Sequence, residues 1–155
     1  SMPEVASRVH AVAGVFLSIS VSAAVLACAI WNFQRHDQSD SMLYGAAVIT
    51  GFLLNMGILV SLLYGASRHI PTLMTPYIVA ASMHFFFSAL MTAYFLICTA
   101  HGMVLGNDMV EVYGFLIFFM LSYFWAWSGR AIGEEREEVR RRAGKHTVFI
   151  NENYI

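Results

Sequence analysis

The sequence predicts an all-α integral membrane protein: a bundle of four transmembrane helices with short loops and both termini on the cytoplasmic or matrix side. Three observations lead there. The 155 residues are 58% hydrophobic and only 12% charged, with a mean hydropathy of +0.62. A soluble domain carries about 25% charged residues, so the deficit points to lipid as the solvent. The apolar residues gather into four runs of the length a bilayer needs, roughly 20 residues each. The charge is pushed to the ends: residues 9–129 hold six Asp, Glu, Lys or Arg, namely Arg35, Asp37, Asp40, Arg68, Asp108 and Glu111.

The first run, 9–31, reads VHAVAGVFLSISVSAAVLACAIW. It is too long for the apolar region of a signal peptide, and no cleavage-site pattern follows it, so a cleavable signal is not expected. The second, 42–64, reads MLYGAAVITGFLLNMGILVSLLY, the third occupies 73–100, and the fourth, 109–127, reads MVEVYGFLIFFMLSYFWAW. The connections NFQRHDQSDS, GASRHIP and HGMVLGND are polar or carry Gly and Pro, as turns do. Backbone groups in lipid must be satisfied within the segment, which makes each run a helix. The organisation expected is a four-span bundle over 1–133 followed by a charged helical extension and tail over 134–155.

Four spans place both termini and the second loop on one side. That side holds Arg8, Arg68, Arg130, Arg136, Arg140, Arg141, Arg142 and Lys145, against Arg35 alone on the other. The bias is a positive-inside signal. Trp31 then belongs to the outer interface, and Trp125 and Trp127 to the inner one. In the tail, Glu137–Arg141 and Glu138–Arg142 are i,i+4 pairs in the favourable order. The fourth helix is expected to continue as a solvated helix to about Arg142 and to stop at Ala143-Gly144. The TVFI that follows is apolar and β-prone. Arg130, Arg136, Arg140, Arg141, Arg142 and Lys145 form the candidate inner-face contact for anionic headgroups or for an acidic partner.

In lipid, helices associate through small residues. Gly14, Ser18 and Ser22 recur at spacing four in the first span. The second has Ala47, Gly51 and Asn55 on one face and Gly57, Ser61 and Gly65 on another. The third has Ser88 with Thr92 and Ala89 with Ala93, and the fourth has Ser122 and Ala126. Phe115, Phe118, Phe119 and Phe124 give the fourth a bulky surface suited to lipid or a partner subunit.

An intramembrane polar residue is a functional candidate by default. His84 and Asn55 lie near the middle of antiparallel spans, at about the same depth, and a hydrogen bond between them is the natural expectation. It would serve either as glue between helices or as a ligand or proton contact. Glu111, near Asp108, opens the fourth span, where the helix dipole favours a carboxylate. No other Asp, Glu, Lys or Arg lies in the membrane interior, which argues against a proton pump or coupled transporter.

No cofactor is expected. A bis-His haem site needs two facing imidazoles, and of His10, His36, His69, His84, His101 and His146 only His84 is deep. His10 lies about a dozen Å away in depth at ~1.5 Å per residue. Cys28 and Cys98 both fall in apolar runs, with no disulfide or metal spacing. The chain has no GxSxG, HExxH, CxxC, P-loop or paired acids, so no catalysis is expected. A net charge of −1 offers nothing for nucleic acid.

The four-span plan with short outer loops is similar in topology to MARVEL-type and lysosomal tetraspan proteins. A tetraspanin is not indicated, for want of a large second outer loop and a Cys-Cys-Gly, nor a claudin, whose first outer loop carries paired cysteines. SRVHAVAG at 7–14 resembles the S-x-x-H-R-x-T-G that opens the first span of the large cytochrome-b anchor subunit of succinate dehydrogenase. GASRHI at 65–70 is similar to that family's Gly…Arg-His run. The resemblance covers about 14 residues and implies a quinone site near Ser7, His10 and Arg68. The chain departs from the family pattern in having Ala11 for the Arg, no haem-ligand His upstream of Gly65, and four spans instead of three.

The reading that fits these features best is a non-catalytic, multi-pass accessory subunit of a larger membrane complex, respiratory or otherwise organellar. Its partners are then the bilayer, anionic headgroups at the inner face and other membrane subunits. A mitochondrial inner membrane and an endomembrane both suit it. Two other readings stay open. One is a free-standing tetraspan scaffold or trafficking protein, although NENYI is neither a clean YxxΦ nor NPxY. The other is a small transporter or quinone-site anchor using His84 and Asn55.

Overall fold

The computed structural model describes the backbone of residues 2–33, 38–105 and 109–152. Every described element is helical: α1 (Met2–Phe33), α2 (Gln38–Ser67), a short 3-10 helix (Pro71–Met74), α3 (Thr75–Leu105) and α4 (Met109–Glu152). Four of them are long and apolar enough to cross a membrane, through Ser7–Asn32, Met42–Ser67, Pro71–Gly102 and Glu111–Gly144. α1 and α2 overrun their apolar runs at both ends, and α3 and α4 overrun theirs at the C-terminal end. Arg35, His36, Asp37 and Asp108 lie outside the described residues.

The chain divides into two compact units, 1–76 with 139–155, and 77–138. In the first, α1 and α2 pair antiparallel. Asn55 Nδ2 donates to Ser20 Oγ at 3.3 Å, and Tyr44 Oη donates to the Ala27 carbonyl at 3.2 Å. Rising numbers on α1 meet falling numbers on α2. The buried face of α1 is Val9, Val12, Ala13, Phe16 and Ser20, spaced as one side of a helix. The stripe Gly14, Ser18, Ser22 is not this face. All three residues are exposed, and a Cβ on Gly14 would meet nothing within 4 Å. Ser18 Oγ donates back to the Gly14 carbonyl at 3.0 Å, so its hydroxyl is satisfied along its own helix.

The end of α2 is built by two residues. His69 adopts a left-handed backbone, φ 57°, and the Ile70 N–H reaches back to the Gly65 carbonyl at 2.9 Å. This is a Schellman closure with histidine where glycine is usual. Ile70 is extended, and Pro71 then opens the 3-10 helix, as the residue before proline and a first-turn proline should. Ser61 Oγ donates to the Leu73 carbonyl at 2.7 Å and ties the 3-10 helix to α2. His69→Gly removes a left-handed side-chain penalty of about 1 kcal/mol. Thermal unfolding in detergent should therefore shift upward, and a lowered midpoint would contradict this account of the turn.

In the second unit, α3 and α4 run antiparallel. The contacts descend from Ala81 against Gly129, through His84 against Trp125, to Thr92 with Ser122, whose hydroxyl oxygens lie 3.4 Å apart. The Phe95 ring stacks on Phe118 at 5.6 Å and covers Gly114, where a Cβ would fall 2.7 Å from the ring. The small residues Thr92 and Ser122 thus do serve this pairing, and Ser88 is buried one turn before Thr92. Phe118 turns to α3 rather than outward, whereas Phe119 is 53% exposed.

Two expectations for α4 are corrected. The helix does not stop at Ala143-Gly144 but runs to Glu152. A glycine inside a helix costs only about 1 kcal/mol, and the β preference of TVFI yields readily to context. Nor is the extension solvated all round. Trp125, Ser128, Ile132, Glu135 and Val139 are all buried, at spacings of three and four. The covered stripe continues past the apolar run into the charged segment.

Candidate functional site

His84 is the tenth of the 31 residues of α3 and is part-buried. Its Nδ1 lies 2.7 Å from the Ala80 carbonyl oxygen. A carbonyl only accepts, so Nδ1 carries the hydrogen. A ring that carries its single hydrogen there has its lone pair on Nε2. The ring also packs against the Trp125 indole, with centroids 4.7 Å apart and planes tilted by 34°. Two contacts from one turn below and one helix away thus fix its orientation. Residue type and place in its apolar run single out His84 in the sequence, whereas Trp125 stands there only as an interface anchor. Pairing of two antiparallel spans of similar length could have put the two at one level.

Asn55 belongs to the other unit, where Ser20 is its hydrogen-bond partner. Each member of the expected polar pair therefore has its described partner inside its own unit. Ser20 carried no signal of its own in a run dotted with serines.

Ser7, His10 and Arg68, the residues of the suggested inner-face site, are all exposed. The Arg68 guanidinium lies over the Tyr64 ring, 5.8 Å from its centroid and one helical turn away, a cation–π contact worth about 0.5–1 kcal/mol at an exposed site. Of the basic residues on α4, Arg130 Nε donates to Glu134 Oε1 at 3.0 Å in an exposed i,i+4 pair. Arg136 Nε is buried with no hydrogen-bond partner, beside Glu135, which is 6% exposed. Arg140, Arg141 and Arg142 all engage in contacts. Lys145 lies on α4, but its side chain is outside the described residues.

Glu111 lies in the first turn of α4, as its dipole preference requires. Its Oε2 is buried without a partner, and so is Thr99 Oγ1. Phe95 covers Gly114, so one turn onward on α3 and one turn back on α4 put Thr99 and Glu111 at about the same level. Among the described residues, no group of three His, Cys, Asp or Glu could hold a metal ion. Cys28 and Cys98 are free thiols. An open cavity of about 400 Å³ is lined by Cys28, Ala29, Trp31 and Asn32 at the end of α1.

These features define a class: an all-helical protein with four helices apolar enough to span a bilayer. Comparison with known proteins finds no matching family model, no matching curated protein and no matching solved structure. The functional argument therefore rests on the chain's own residues.

Proposed function

We propose that this chain is a non-catalytic, multi-pass membrane protein that works as an accessory subunit of a larger membrane complex. One observation carries the reading. The small-residue stripe Gly14, Ser18 and Ser22 on α1 is exposed, and on α2 neither Gly51 nor Gly57 has a neighbour within 4 Å of where a Cβ would be. Between membrane helices, such residues are what lets two backbones approach closely. Here they face away from the α1–α2 contact, as a surface for another chain would. The absence from the sequence of any constellation for acyl transfer, metal hydrolysis or nucleotide binding supports a structural role.

In this reading both termini lie on the cytoplasmic or matrix side, because eight of the nine Lys and Arg fall there. The basic residues of α4 meet anionic headgroups at that face. No residue names the organelle.

The test is gentle detergent extraction from native membrane, then native-gel separation and mass spectrometry of what co-migrates. The chain should run within an assembly far larger than its own 17.3 kDa. In sealed vesicles from the same membranes, both ends should be cut by protease only from the inner face. Migration as a lone chain or a small homo-oligomer would sink the subunit reading.

A further inference from the structure

We draw no further inference here: the strongest candidate, the side-chain cluster where α3 gives way to α4, with Glu111 Oε2 and Thr99 Oγ1 both buried and without a hydrogen-bond partner, carries nothing because nothing in the structure shows a ligand there or what covers it.

Discussion

Gly65→Val should destabilise the chain by roughly 3 kcal/mol or more, the upper range for overpacking. A Cβ at Gly65 would lie 2.9 Å from Leu73 Cβ, 3.1 Å from the Ile70 carbonyl oxygen and 3.2 Å from the Leu73 carbonyl carbon. Two of the three are backbone atoms, and the backbone there is pinned. The Ile70 N–H is bonded to the Gly65 carbonyl at 2.9 Å, and Ser61 holds the Leu73 carbonyl at 2.7 Å. Nothing can move aside without breaking the turn that ends α2. Gly51 is the control, because a Cβ there meets nothing within 4 Å. Gly51→Ala should be neutral or stabilising by up to about 1 kcal/mol through helix propensity. Thermal unfolding in one detergent, followed by circular dichroism, compares the two. Equal melting midpoints would show that the close approach at Gly65 has no energetic weight.

Ile132→Asp should cost about 4 kcal/mol, because it puts an unpaired carboxylate where a fully buried side chain stands. Ile132 is 0% exposed, between Ser128 at 0% and Glu135 at 6% on one stripe of α4. The comparison is Glu134→Gln, two residues along. Glu134 is exposed and makes only the Arg130 pair, so its loss should leave stability nearly unchanged, as for most surface pairs. Limited proteolysis after Ile132, together with the melting midpoint, reads both variants. An Ile132→Asp chain as resistant as wild type would mean that the extension is solvated all round.

The readings that succeeded and those that failed divide by physical cause. Helix number and position follow from run length and apolarity, so 9–31, 42–64 and 109–127 each fall inside an observed helix, and 73–100 falls in α3 apart from its first two residues in the 3-10 helix. The choice of packing face was a different matter. Gly14, Ser18 and Ser22 form a well-spaced stripe, yet α1 buries Val9, Val12, Ala13 and Phe16. Both sides of α1 are apolar, so sequence contrast does not tell its covered side from its exposed side. Thr92 and Ser122 do meet, although nothing in the sequence distinguishes them from the α1 stripe. In the site, His84 is legible as an ionisable residue inside an apolar run. Its lock on Trp125 depended on helix pairing, and Ser20 was one serine among several.

What the sequence alone determined is the helical class, the four apolar segments and the crowding of charge at the ends. These depend on local chemistry: backbone groups that must bond within their own segment, and side chains sorted by solvent. Only the tertiary structure decided that α4 buries Ile132, Glu135 and Val139 and continues to Glu152, that His69 closes α2 over Gly65, and that His84 is held by Trp125. Those outcomes depend on which surfaces approach within a few ångströms. In a chain this uniformly apolar, shape decides that, and hydrophobic pattern does not.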